Sequence, residues 1–264
     1  MQVTLIQTSL FWEDREKNLA HFNNLLNSVQ EKTDLIVLPE MFTTGFTMNP
    51  SKLSEPASGP TLAWLQQKAK EKNAVIMGSV AVEEKGNYFN RLFWVQPNGT
   101  FSFYNKRHLF RMAGEDKHYS AGENKIIQAI GEFKICPLVC YDLRFPVWSR
   151  NTFTKNNGSY TAAYDVLIYV ANWPEVRSYP WKQLLIARAI ENQCFVIGVN
   201  RIGADGNNIA HSGDSMVINP RGEIISKTKA NEESIETVTL DYNYLSEFRK
   251  VFPVGLDADD FKLL

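Results

Sequence analysis

The sequence predicts one layered α/β domain with mixed sheets. Three observations lead there. Strand-like and helix-like stretches alternate from the first residues onward. Three runs, "DLIVLP" (34–39), "DVLIYVAN" (165–172) and "CFVIGVN" (194–200), are apolar at nearly every position, as strands covered on both faces are. Two hairpin signatures, on Pro-Asn-Gly (97–99) and Pro-Arg-Gly (220–222), alternate more and suit sheet edges.

The elements follow in order. "VTLIQTSL" (3–10) reads as the first strand. Residues 14–31 carry Leu19, Phe22, Leu25, Leu26 and Val29 at helical spacing, with Asp14 placed to cap them. "DLIVLPE" (34–40) is a buried strand that stops at Pro39, a helix is expected over about 60–73, and "AVIMGSVAVEE" (74–84) is the next strand. The first hairpin brings in "FSFYNKRH", and residues 111–125 read as a polar loop. "FKICPLVCYD" (133–142) is a strand, and "PVWSRNTFTKN" (146–156) is expected to be a helix. Residues 164–172 form a strand, 181–193 a helix and 194–203 a strand. "SMVINPRGEII" (215–225) is the second hairpin and "SIETVTLDY" (234–242) a late strand. With no low-complexity linker and no short-period repeat, residues 1–264 are expected to form a single domain. Residues from about 249 to 264 lack a strong periodic signal and read as a C-terminal arm or tail.

Composition narrows the function. The chain has 264 residues, 44% hydrophobic and 22% charged, with a formal net charge of −1. No basic surplus points to nucleic acid and no acidic block to an interaction tail. No apolar run reaches the roughly 18–20 residues that span a bilayer. The N-terminus lacks a basic leader and reads as a strand, so no signal peptide is expected. Three cysteines without disulfide spacing suggest a reduced, cytoplasmic setting. Cys136 and Cys140 would lie about 13 Å apart along a strand, too far to share a metal ion. The four histidines form no ligand pattern, so no metal site is expected.

Three strand candidates end in a reactive side chain: "DLIVLPE" in Glu40, "FSFYNKRH" in Lys106 and "FKICPLVC" in Cys140. Strand ends are where layered α/β proteins collect their chemistry, because packing fixes geometry there. Each residue alone has an ordinary reading, as a packing cysteine, a solvated strand-end acid or a surface lysine. Cys136 and Cys194 keep the packing reading.

The strings around these residues decide the matter. "LIVLPEMFTTGF", "YNKRHLF" and "CYDLRFP" resemble the three motifs of the nitrilase superfamily of carbon–nitrogen hydrolases, and the likeness runs through nearly the whole chain. "RMAGE", "YVANWP" and "ARAIENQ" are most similar to its omega-amidase branch. The resemblance implies a four-layer αββα sandwich, assembly as a homodimer, and no metal or organic cofactor. It implies that Cys140 attacks a small amide and that Glu40 is the general base. Lys106 and the backbone N–H of Tyr141 would stabilise the oxyanion. Glu115 would orient Lys106 or the substrate amide, or share the proton transfer, with Asp116 as the competing assignment. These roles suit the chemistry. A thiol must lose its proton to attack, and a carboxylate becomes an effective base only where a dry pocket raises its pKa.

For the substrate, the branch implies a short dicarboxylic monoamide such as 2-oxoglutaramate or succinamate, whose carboxylate needs a cation. Arg111 and Arg177 are the candidates, with Phe42, Phe46, Met112 and Trp173 as an apolar wall. Asp142 and Arg144 are expected to pair locally. His108 is set aside as a partner for Cys140, because no motif places an acid to orient it. His211 is read as a hydrogen-bonded hairpin residue. A nitrilase, a carbamoylase or another amidase would use the same machinery. A non-catalytic scaffold on the same fold is the alternative outside enzymology.

Overall fold

In the computed structural model, which describes residues 1–157 and 159–261, the chain forms two mixed sheets packed face to face. The first runs in the spatial order 234–239, 2–7, 35–37, 75–84, 87–95, 101–105, with a short strand at 55–56 on the side. Its centre is parallel, from Gln2–Gln7 through Leu35–Val37 to Val75–Glu84. The hairpin strands Asn87–Val95 and Phe101–Asn105 add antiparallel at one edge. The second sheet runs 216–218, 195–200, 166–171, 133–139, 128–130, and its three central strands are parallel.

The pleat explains the layers. Alternate residues of a strand face opposite sides. Val3, Leu5, Leu35, Val37, Met77, Leu92 and Trp94 therefore join the core shared with Val139, Ile168 and Ile197 of the second sheet. The residues between them, Ile6, Ile36, Leu38, Ile76 and Phe93, turn outward onto Phe22 and Leu26 of the helix Arg15–Ser28 and Leu65 of the helix Pro60–Lys72. Asp14 caps the first of these helices by accepting from Lys17 N at 3.0 Å. On the far side the helix Ser178–Asn192 lays Trp181, Leu185 and Ala189 on the second sheet. The result is the expected αββα sandwich.

Three expectations need correction. The strand over 133–142 ends at Val139, because Cys140 turns to φ +44° and opens a 3₁₀ turn over Cys140–Arg144. The helix expected over 146–156 lasts one turn, Pro146–Ser149. Phe153–Asn156 instead pairs antiparallel with Ser159–Ala162, since β-branched and aromatic residues at 152–154 favour extended chain. The loop over 111–125 holds short helical turns at Arg111–Ala113 and Glu115–His118.

The C-terminal segment is partly ordered structure. A helix spans Tyr242–Val251, capped by Asp241, and a turn spans Val254–Asp257. This segment packs on its own chain: Arg249 pairs with Asp165 at 2.5 Å, and Gln193 Nε2 donates to Phe252 O at 2.8 Å. Residues 262–264 of the expected arm lie outside the described residues.

The close seat of the helix 178–192 depends on Gly198. A Cβ there would lie 2.5 Å from Leu185 Cδ1 and 2.8 Å from the Trp181 ring, both wholly buried. Gly198→Ala is expected to overpack this contact and lower stability by about 1–3 kcal/mol. The measurement is a lower urea midpoint at unchanged m-value.

Candidate active site

Four side chains far apart in sequence meet where the two sheets touch. Glu40 follows the strand Leu35–Val37 in a turn held by Ser79, whose Oγ accepts from Met41 N at 2.8 Å and whose carbonyl accepts from Phe42 N at 3.1 Å. Lys106 follows Phe101–Asn105. Its backbone is pinned by Lys106 N to Asn90 O and by Gly122 N to Lys106 O, both at 2.9 Å. A Cβ on Gly122 would lie 2.1 Å from Asn105 O, so the chain can approach only as glycine. Glu115 opens the short turn Glu115–His118. Cys140 stands at the tip of Phe133–Val139 in the left-handed region, at a sharp strand-to-turn junction that turns its buried side chain to the floor of a cavity.

The charges are paired as burial demands. Lys106 Nζ lies 2.9 Å from Glu40 Oε1 and 3.0 and 2.9 Å from the two oxygens of Glu115, and all three side chains are buried. Asn90 Nδ2 donates to Glu40 at 2.8 Å and to Glu115 at 3.3 Å. Phe110 N donates to Glu115 at 2.6 Å. The second sheet reaches back through Asn172, whose backbone N donates to Glu40 Oε2 at 2.8 Å and whose Nδ2 donates to Glu40 O at 2.5 Å.

The environment shifts these groups in opposed ways. Burial pushes the Cys140 thiol well above its usual pKa. The neighbouring Glu40 carboxylate, which accepts its hydrogen bond, adds to that, and Lys106 works against it. Burial alone would drive the Lys106 ammonium toward neutrality, but Glu115 and Glu40 more than reverse this, leaving it firmly protonated. Glu115 is raised by burial and by Glu40, against the pull of Lys106. Burial also pushes the core thiol of Cys136 up to about 12.

Above the quartet opens a cavity of about 420 Å³. Cys140 and Lys106 form its floor, and Phe46, Met112, Tyr141 and Trp173 line it, as the sequence led us to expect. The Phe46 ring lies 4.9 Å from Lys106 Nζ. Arg177 also lines the cavity, its guanidinium over the Phe110 ring at 5.3 Å. Two expected wall or cation residues do not. Phe42 is buried in the outer core against Phe22, with ring centroids 5.3 Å apart. Arg111 points its guanidinium to Asp116 at 2.9 Å and is absent from the lining. That same pair takes Asp116 away from Lys106, whose carboxylate partners are Glu115 and Glu40.

Asp142 and Arg144 do not pair. The 3₁₀ turn separates them: Asp142 is buried beneath Tyr104 and His108, while Arg144 lines the cavity over the Trp173 ring at 5.2 Å. His108 does have an acid beside it, Asp142 at 2.8 Å. Its ring is stacked on Phe145 at 3.7 Å and is not part of the cavity wall. The residues missed were Asn90, Asn172 and Arg144. Nothing local in "NRLFWV" sets Asn90 apart. Among the described residues no cluster of His, Cys, Asp and Glu is arranged to hold a metal ion, and no helix is long and apolar enough to cross a membrane.

Sandwich and site together define a hydrolase of carbon–nitrogen bonds built around a buried Glu–Lys–Cys cluster. The chain belongs to the carbon–nitrogen hydrolase family, whose model matches residues 2–250. It is 48% identical to the omega-amidase YafV of Escherichia coli K12, covering all of this chain and 98% of that protein. It is 32% identical to the 2-oxoglutaramate amidase of Bacillus subtilis, covering 96% and 95%. A solved structure of a CN-hydrolase superfamily protein from Xanthomonas campestris, with an arsenic adduct in its active site, superposes with a TM-score of 0.96. It is 41% identical over 100% of this chain and 99% of that one.

His211 faces this cavity from the hairpin 202–212, with Nδ1 3.3 Å from Gly203 O. Burial, helped by Arg201, lowers its pKa from 6.5 to about 4. Because the folded value is the lower one, protons bind the unfolded chain first as pH falls. The stability His211 contributes is therefore present above pH 6.5 and lost on descending toward pH 4. In His211→Gln the urea midpoint is expected to fall less between pH 7 and pH 4.5 than in the wild type. Equal drops would show that His211 carries none of the acid sensitivity.

Proposed function

We propose that this protein is an omega-amidase that cleaves the terminal amide of a small dicarboxylic monoamide to acid and ammonia. The observation that carries this reading is the buried cluster of Glu40, Lys106, Glu115 and Cys140 beneath a cavity lined by two arginines. Similarity to the omega-amidase of E. coli and the 2-oxoglutaramate amidase of B. subtilis supports the substrate class.

In this mechanism Cys140 Sγ adds to the amide carbon while its proton passes to Glu40. The oxyanion forms against Lys106 Nζ and the N–H of Tyr141. The latter lies in the first turn of the 3₁₀ segment, where backbone donors lack a partner within the helix. One such donor contributes about 3 kcal/mol to the barrier reduction. Glu40 returns the proton to nitrogen, the C–N bond breaks, ammonia leaves, and a thioester remains on Cys140. Water, deprotonated by Glu40, then attacks the thioester and releases the acid and the thiol. The sum is amide plus water to acid plus ammonia, and Glu115 holds Lys106 in place throughout.

Arg144 and Arg177 are the cations proposed to receive the substrate carboxylate. Each guanidinium lies over an aromatic face, and an arginine can grip a carboxylate through two parallel hydrogen bonds. The proposal includes a homodimer, on the strength of the family resemblance, and a cytoplasmic location, which suits three buried, unpaired cysteines.

Ammonia release from succinamate or 2-oxoglutaramate is the direct test. Wild-type enzyme is expected to release it and Cys140→Ala to lose the activity by at least about 1,000-fold. No release from any short monoamide would sink the substrate assignment. Separately, Arg144→Met or Arg177→Met is expected to raise KM for succinamate about tenfold or more. The rate on butyramide, which lacks the carboxylate, should change little. Equal effects on both substrates would remove the arginines from substrate recognition.

A further inference from the structure

The reaction just described leaves a buried acid beside Cys140 unexplained. Asp142, two residues beyond Cys140, is wholly buried and accepts four hydrogen bonds. Oδ2 receives the Tyr104 hydroxyl at 2.7 Å and Val139 N at 3.1 Å. Oδ1 receives His108 N at 3.0 Å and faces His108 Nδ1 at 2.8 Å. These donors come from two different sheets. Val139 is the last residue of the strand that presents Cys140. Tyr104 and His108 flank Lys106 by two residues on either side.

The bond to Val139 closes a short ring whose interior is Cys140 and Tyr141. It therefore fixes the backbone on both sides of a residue held at φ +44°. Non-glycine residues persist in that region only where the surroundings over-determine them. The bonds to Tyr104 and His108 then tie this ring to the Lys106 segment. The anchors are themselves held. Tyr104 Oη accepts from Trp148 Nε1 at 3.0 Å and from Arg107 N at 3.2 Å, and the His108 ring stacks on Phe145.

We propose that Asp142 is a positioning residue. Its carboxylate bridges the turn carrying Cys140 and the segment carrying Lys106, and so sets the thiol and the Tyr141 N–H in register with the Lys106 ammonium. Asp142 lines no part of the cavity and touches no substrate. The inference rests on the amidase reading only in taking Cys140 as the nucleophile.

The test uses the full-length chain and two variants. Asp142→Asn keeps the shape but replaces one acceptor oxygen with a donor, so at least one anchor must break. Tyr104→Phe removes a single anchor and leaves the Asp142 charge in place. For each, kcat and KM on succinamate are measured, together with the pH profile of Cys140 alkylation by iodoacetamide, read by peptide mass. Asp142→Asn is expected to lower kcat about 100-fold with KM within about threefold, as a displacement on the ångström scale does. Tyr104→Phe should lower kcat about tenfold. In both, the midpoint of the alkylation profile should move toward that of an ordinary thiol, because Cys140 leaves its place against Glu40.

Variants that melt earlier yet keep wild-type kcat and alkylation midpoint would make Asp142 a brace for the fold alone and overturn the inference. So would a change confined to Asp142→Asn, since that would trace the effect to charge rather than placement. If Asp142→Asn does not fold, Tyr104→Phe decides. If wild-type protein hydrolyses no amide, the substrate assignment fails while the alkylation profile still tests how Asp142 places Cys140.

Discussion

The Lys106 ammonium, held between the carboxylates of Glu40 and Glu115 out of reach of solvent, is the interaction on which the rest of the site depends. A lone charge in such a place would neutralise itself or unfold its surroundings. Two acids and one base leave a formal charge of −1, spread over bonds from Asn90, Asn172 and Phe110. Burial first, and then the Glu40 carboxylate, push the neighbouring thiol upward. A preformed thiolate would place a second negative charge beside Glu40. In the proposed mechanism the problem does not arise, because the proton leaving Cys140 goes to Glu40 and the total charge of the cluster stays constant. The nucleophile is thus activated at the moment of attack rather than kept ionised. This differs from a cysteine poised next to an imidazolium.

The same constraint accounts for the architecture. Glu40, Lys106 and Glu115 belong to one sheet and its connections, and Cys140 and Asn172 to the other. Bringing the ends of two parallel strand sets together yields a water-poor contact, and the irregular buried turn that carries Glu40 has its backbone groups partnered by Ser79 and Asn172. The large inner residues Trp94, Tyr104 and Tyr169 fill the space behind the contact. The sheets are then held at a spacing where Asn172 can donate to Glu40 from across the interface.

Much of this was legible in the sequence, and the failures share a cause. The apolar runs at 34–39, 165–172 and 194–200 announced central strands because both their faces are covered. Glu40, Lys106 and Cys140 were legible because each follows a strand candidate directly and sits inside a recognisable string. The one-turn helix at 146–149 and the strand at 153–156 were not, since neither is long enough to show a period. Alternation along an extended chain placed Asp142 and Arg144 on one face, but the chain turns at Cys140. A residue forced to positive φ by tertiary contacts leaves no local trace. Asn90 and Asn172 act by donating hydrogen bonds into a buried charge cluster, and donors of that kind look like any other asparagine in a sequence.

The division between floor and mouth explains how one machinery serves many amides across a family. The floor holds every ionised group of the cluster and is satisfied from within, so it has little freedom to vary without leaving a charge unpaired. The mouth is built differently. Arg144 and Arg177 rest on the rings of Trp173 and Phe110 rather than in carboxylate pairs, and Met112 is 80% exposed. Asp205, the acid that shares this cavity, is occupied by its own turn, accepting from Asn207 N and Ile209 N at 2.8 and 2.9 Å. A guanidinium on an aromatic face keeps its in-plane N–H groups available, so an incoming carboxylate need not displace an existing partner. Changing those few rim residues would alter which amide is accepted while leaving the electrostatics of bond cleavage untouched. On the proposed reading, substrate choice belongs to the rim residues Arg144, Arg177, Phe110, Met112 and Trp173, and reactivity to the strand ends beneath them.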